Sequence, residues 1–226
     1  WKCETCPFEK SGVSGTVDAG VANVSDRSAK FGEFSGLDRK GAQVFGGADV
    51  RYQGAGSHFG SLVADSDVGV LKGQFGREGL YTLRLGYAST PHNVSDEGIT
   101  PFPGGRGADL TLPAGFRANT SAAMPLASSL HSVEIGTTRS RYDAGLSFNT
   151  GPNWTHSLTL RRDVRDGTQR MGGSFFATSA QLVAPVDQVT NQLQVSTHYT
   201  RARMQASLGY QVSLFTNGNA GLVWSN

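Results

Sequence analysis

The chain has 226 residues, enough for one all-β domain or two ordinary ones. Only 38% are hydrophobic and 30 are Gly, while a formal net charge of +2 gives no reason to expect nucleic-acid binding. No run of 18 or more apolar residues occurs, which excludes a transmembrane helix. Such a composition would suit disorder, but long stretches of two-residue alternation argue against it. The same composition suits a transmembrane barrel, whose lumen is polar and whose lipid face needs only every second residue to be apolar.

In chain order, the first feature is W-K-C-E-T-C-P-F, with Cys3 and Cys6 spaced C-x-x-C. Pro7 stands where c-type haem attachment needs His, so this chain carries no haem of its own by that motif. A local disulfide in an oxidising compartment and a redox-active or partner-linking pair both fit; a metal would need two further ligands, and none is evident. The chain begins at Trp1 rather than Met, as expected if a leader has been removed.

A first strand follows, with Val13, Val17, Ala19 and Val21 on one face and Ser14, Thr16 and Asp18 on the other. After a polar loop at 25–41, segment 42–53 puts Val44, Ala48, Val50 and Tyr52 outward and Gln43, Asp49, Arg51 and Gln53 inward. The stretch 58–75 reads as two strands meeting near Asp65-Ser66-Asp67, and a turn at 76–79 leads to Tyr81, Leu83, Leu85 and Tyr87 alternating with Thr82, Arg84, Gly86 and Ala88. Residues 89–132, rich in Pro, Gly, Ser, Thr and Asn, read as a large surface loop. Strands resume at 140–150 and 154–162 around the turn Thr150-Gly151-Pro152-Asn153, a second long loop is expected at 163–190, and strands follow at 191–200 and 203–214 about a tight turn near Arg201. Segment 219–225 is a short last strand, ending in L-V-W-S-N without the terminal aromatic residue expected to close a bacterial barrel.

The expected connections are tight at 54–57, 76–79, 150–153 and 200–202 and long after the first, fifth and seventh strands, the asymmetry of outer-membrane barrels, with short periplasmic turns and longer extracellular loops. Residues 1–11 then form a periplasmic N-terminal lead, and 12–226 form transmembrane β-barrel strands with extracellular loops near 89–132 and 163–190. Tyr52, Tyr81, Tyr87, Tyr142, Phe148, Trp154, Tyr199 and Tyr210 fall at strand ends, where interfacial girdles place aromatics. The fold class expected is an all-β, transmembrane antiparallel barrel with about ten strands in this chain, the N-terminal part of a larger barrel.

Five stretches together resemble one family: W-K-C-E-T-C at the start, K-F-G-E-F-S-G-L at 30–37, L-R-L-G-Y-A-S-T-P-H-N-V-S-D at 83–96, L-T-L-P-A-G-F at 110–116 and G-T-Q-R-M-G-G-S-F at 167–175. The chain is similar to the decahaem-associated outer-membrane proteins of the MtrB/PioB type, in order and over essentially its whole length. The resemblance implies a barrel of about 26 strands, roughly 50 Å across. It also implies a function, as the sheath of a periplasmic decahaem c-type cytochrome that carries electrons across the outer membrane, with haem c on the partner and no cofactor bound by this chain. An extracellular multihaem cytochrome would dock on the long loops, outer-membrane lipid would surround the barrel, and Cys3 and Cys6 match the family's N-terminal C-x-x-C. Candidates to face the cytochrome are Asp18, Asp49, Arg51, Arg84, Asp143, Arg161 and Arg203, whose plainer role is general lumen polarity.

Enzymatic function finds no support: His58, His92, His131, His156 and His198 fall in no G-x-S-x-G, H-E-x-x-H or similar arrangement. Gly54, Gly56 and Gly60 miss the dinucleotide-binding spacing. The alternative within the same fold is a solute-diffusion porin or an adhesin barrel without a cytochrome.

Overall fold

The computed structural model describes residues 11–103, 107–116, 124–176 and 178–225, so Cys3 and Cys6 lie outside the described residues. The described chain is almost entirely antiparallel β. Its strands are β1 (Gly12–Val24), β2 (Gly41–Gln53), β3 (His58–Asp65), β4 (Val70–Arg77), β5 (Tyr81–Thr100), β6 (Asp109–Leu110), β7 (His131–Asn149), β8 (Trp154–Phe175), β9 (Thr178–Arg201), β10 (Met204–Asn217) and β11 (Val223–Trp224). One helical turn, α1 (Leu126–Ser129), precedes β7. No helix among the described residues is long and apolar enough to cross a membrane.

Nine strands form one sheet in the order β1-β2-β3-β4-β5-β7-β8-β9-β10, a continuous meander with β1 and β10 at its two edges. Short β6 and β11 pair in parallel as a separate ribbon. The sheet is an open arc. At one end every connection is brief: 54–57, 78–80, 150–153 and 202–203. Gly79 and Gly151 take positive φ there (74° each), the backbone such reversals require. At the other end two connections are long, 25–40 and 101–130.

The alternation expected from sequence is realised by the register. Val13, Val17 and Val21 pair with Tyr52, Ala48 and Val44, so the apolar residues of both strands share one face. Val50, Leu62, Gly73, Leu85, Ala144, Leu160, Leu193 and Val212 form one lateral row on that face across eight strands. These side chains are bare: Val17 is 79% exposed, Val44 81% and Leu208 74%. So wide an apolar surface is untenable in water and natural against hydrocarbon. Along β8 the band runs from Trp154, packed on Tyr199 at 4.9 Å, to Arg162 beyond Leu158 and Leu160. Eight residues at about 3.4 Å each, tilted by roughly 40°, rise about 20 Å, near the height of the apolar band of such barrels. Tyr87 and Tyr142, 5.1 Å apart, mark the far border on the neighbouring strands.

Two expected loops are corrected. Residues 163–190 are mostly strand: β8 and β9 continue in register to Phe175↔Thr178, and Phe176, just past β8, takes φ 53°. Loop 89–132 shrinks to 101–130, because β5 runs to Thr100, bent by register shifts at Asn93/Ser95 and Ser95/Gly98, and β7 starts at His131. The cause is common to both. Strands of 22 and 24 residues outreach a hydrocarbon layer of about 30 Å. Beyond it both faces meet water, so pairing persists while the apolar/polar alternation lapses.

That protruding part holds the packed core. Phe102, Leu110, Phe175 and Leu182 are buried together, with Leu112, Phe116, Phe176, Leu222 and Trp224 against them. Trp224 donates its indole N–H to the Ser174 carbonyl at 2.7 Å. A side chain at Gly173 would strike Leu182, so the close approach of β8 to this cluster needs glycine there. Below it no second sheet covers the strands among the described residues, and the stability of that part comes chiefly from backbone pairing and lipid contact.

Leu158→Arg places a charge midway along the apolar face of β8. It is expected to destabilise the folded barrel in bilayers by about 2–4 kcal/mol, whereas Gln211→Arg on the opposite face of β10 stays within about 0.5 kcal/mol, both read by urea unfolding into lipid vesicles.

Candidate functional site

The face opposite the apolar band is the lumen wall. Its residues fall into lateral rows set by the ladder. One row reads Thr16, Asp49, Val63, Lys72, Gly86, Asp143, Arg161, Gln192 and Ser213. The row on the short-turn side carries Arg51 and Arg84, and the row on the other side carries Asp18, Asp65, Arg141 and Asp163. Six of the seven candidates from sequence therefore share this wall. Asp143 and Arg161 are brought together, with Arg161 Nε donating at 2.6 Å, and Arg51 reaches Asp49 along its own strand at 3.4 Å. Asp18 lies across Gly47, and Phe45 lies across Gly20 where a side chain would collide with its ring. Arg203 is the exception: it occupies the two-residue turn 202–203 between β9 and β10, off the strand and off the wall.

Sequence reasoning missed the most charged part of the wall. Arg139 and Arg141 on β7 and Asp163 and Arg165 on β8 surround Asp143 and Arg161. Arg139 clamps Asp163 through Nε at 2.5 Å and Nη2 at 2.8 Å, and Arg141 Nε adds a contact at 3.3 Å. This forked geometry fixes two guanidinium planes around one carboxylate that is only 14% exposed. Arg165 reaches Thr137 Oγ1 at 3.5 Å. The signal was present as R-S-R-Y-D at 139–143 and R-R-D-V-R at 161–165, charges recurring every second residue.

The wall has a second component. The β1–β2 connection, 25–40, passes the short β3–β4 hairpin and settles on β5 and β7. Asn93 donates its backbone N–H to the Glu33 carbonyl at 2.9 Å and its side-chain amide to the Gly32 carbonyl at 3.0 Å. Phe34 stacks on His92 at 5.0 Å and 7°. Glu33 lies 3.4 Å from His92 Nε2 and bonds Lys30, while Arg27 bridges Asp96 at 3.3 Å and Glu134. His92 shares the lumen parity of Ala88 and Thr90, so the loop folds inward rather than away. Phe34, His92, the arginines of β7 and β8, and Phe215 line one open cavity of about 750 Å³.

This arrangement can hold anions and polar surface; no group of three or more His, Cys, Asp or Glu placed to bind a metal occurs among the described residues. His156 is outside the lumen, between Phe148 and Trp154, hydrogen-bonded to Thr150 and Thr197.

The Lys30 ammonium bonded to it, with His92 beside it, holds the Glu33 carboxyl below its ordinary value of 4.5. A carboxyl lowered in the folded state stabilises the docked 25–40 connection fully above that ordinary value, and the contribution is lost as pH falls through the lowered one. Hydrogen exchange in 28–40, corrected for its intrinsic pH dependence, should therefore rise only on acidification below about pH 4.5. Glu33→Gln should raise it at neutral pH and flatten that response.

Comparison with known proteins agrees with this geometry. A family model described as outer membrane β-barrel porin, MtrB/PioB, matches residues 23–226. The chain is 29% identical over 222 residues to "Outer membrane protein MtrB" of Shewanella baltica (strain OS185), covering 96% of this chain and 32% of that protein. It thus spans about a third of its relative's length. An arc of nine strands, apolar outside and polar inside, is what such a portion of a large porin should contain. The chain belongs to the MtrB/PioB family of outer-membrane β-barrel porins, and its location is the bacterial outer membrane.

Proposed function

We propose that the chain is one arc of a barrel that sheathes a periplasmic multihaem c-type cytochrome, so that electrons cross the outer membrane through the partner's haems. The observation that carries this reading is the wall itself: a predominantly polar and charged face across nine strands, with an apolar band on the reverse. A hydrocarbon layer about 30 Å thick insulates charge, and the exposed polar surface of a cytochrome is not tolerated in lipid. A wide hydrophilic bore removes both obstacles. The bore that about 26 strands enclose, roughly 50 Å across the backbone, is far wider than small solutes need.

In this reading the short-turn end faces the periplasm and the cap built on 101–130 and the β8–β9 hairpin faces outside, where an extracellular multihaem cytochrome docks. The protein is a structural conduit and not an enzyme. Haem c belongs to the partner. Asp18, Asp49, Arg51, Arg84, Asp143 and Arg161 face the enclosed protein. Cys3 and Cys6 act in assembly at the periplasmic rim.

The test is a visible spectrum of the full-length protein purified from its host in detergent. Haem Soret absorbance in the barrel fraction is the expected result; a colourless, pore-forming fraction would establish a solute-diffusion porin or adhesin instead. Cys3→Ser with Cys6→Ser should lower the yield of haem-bearing complex at unchanged barrel content, and an unaltered yield would remove any role for the pair in assembly.

A further inference from the structure

The charge on the lumen wall is unevenly placed. On β5, β7 and β8 five guanidinium groups, Arg84, Arg139, Arg141, Arg161 and Arg165, share the inward face with two carboxylates, Asp143 and Asp163. On β9 and β10 the same face carries Gln188, Thr190, Gln192 and Gln194, then Gln205, Ser207, Gln211 and Ser213, with no charge. On β1 to β4 it carries Arg51 and Lys72 against Asp18, Asp49 and Asp65. Among the strands the positive excess therefore lies on one strip, flanked by a neutral wall on one side and a slightly acidic one on the other.

The strip is also built rather than loose. Asp163 fixes Arg139 and Arg141, and Asp143 fixes Arg161. Each guanidinium has five donors and these contacts use one or two. Arg139 and Arg161 remain 56% and 43% exposed to the lumen. Phe34 from the inward-folded loop and Phe215 from β10 line the same cavity, one from each side. Cations with spare donors between aromatic walls suit a carboxylate carried on an apolar or planar body. Lipid phosphates are on the wrong face: the parity that points these arginines inward removes them from the bilayer.

We propose that the arginine strip of β7 and β8 is a docking rail for carboxylates of the enclosed protein, and that it biases how that protein is rotated in the bore. This rests on the sheath reading above. The carboxylates belong either to haem propionates at the partner's surface or to its Asp and Glu side chains; the chemistry at the strip is the same. Across these nine strands the basic stripe stands between neutral and acidic wall, so it favours the rotations that bring an acidic ridge of the enclosed protein against it.

The experiment uses the full-length protein with its co-purified cytochrome. Bound haem is measured against NaCl concentration for the wild type, for Arg139→Gln/Arg161→Gln/Arg165→Gln and for the corresponding triple Lys variant. Charge neutralisation should lower the salt concentration that releases half of the haem by about threefold or more, while the Lys variant keeps most of the resistance. An unchanged midpoint in a folded triple Gln barrel overturns the proposal. Phenylglyoxal labelling of the wild type gives a second readout that needs no variant: Arg139, Arg161 and Arg165 should be protected in the complex and labelled in the emptied barrel, and equal labelling overturns the rail. A wild-type fraction without haem overturns the sheath reading itself, before the strip is in question. Within a positive result, a shift of the propionate modes in resonance Raman on assembly assigns the carboxylates to haem. Unshifted modes, with release on neutralising acidic side chains of the cytochrome, assign them to protein.

Discussion

In a hydrocarbon layer there is no water to satisfy a backbone N–H or C=O, so each must find its partner inside the protein. Everything else in this molecule depends on that requirement. It imposes continuous ladders between neighbours, and the ladder in turn dictates two faces with opposite tasks. The apolar row from Val50 to Val212 and the polar row from Thr16 to Ser213 are the two sides of one set of hydrogen bonds. A one-residue slip would carry Arg161 and Asp163 into lipid and Leu160 into the bore. The register is thus defended on both sides at once, which explains how a chain with few hydrophobic residues holds a definite sheet.

Much of this was legible in the sequence wherever lipid enforces alternation. The faces of β1, β2, β5 and β10 follow from Val13 to Val21, Val44 to Tyr52, Tyr81 to Tyr87 and Met204 to Leu214. The meeting point of β3 and β4 at Asp65-Ser66-Asp67 was legible from its turn residues. Legibility ended where the strands leave the bilayer. Gly167, Gly172, Gly173 and Pro185 read as loop residues, yet they sit in the paired stretch of β8 and β9, because strand pairing in water needs no periodic apolar face.

The lumen wall was half legible for the same reason. Six candidate residues follow from parity alone. Asp163 and Arg165 lay in a segment read as loop, and Arg203 was assigned to a strand that begins one residue later, at Met204. The inward course of the β1–β2 loop had no local signal. It rests on Phe34 meeting His92 and Arg27 meeting Asp96 and Glu134, contacts between residues far apart in the chain. Only the fold brings them together.

β1, with thirteen residues, and β10, with fourteen, are the strands of this sheet that a closed barrel must pair with others. In hydrocarbon each unsatisfied group on an unpaired strand costs several kcal/mol, so a part-built wall is far less stable there than either the unfolded chain in water or the finished cylinder. Threading into the membrane and zipping the seam must therefore proceed as one concerted act. The cap is spared that constraint: its aromatic cluster lies in water, where it can anneal at leisure once the cylinder beneath it is sealed.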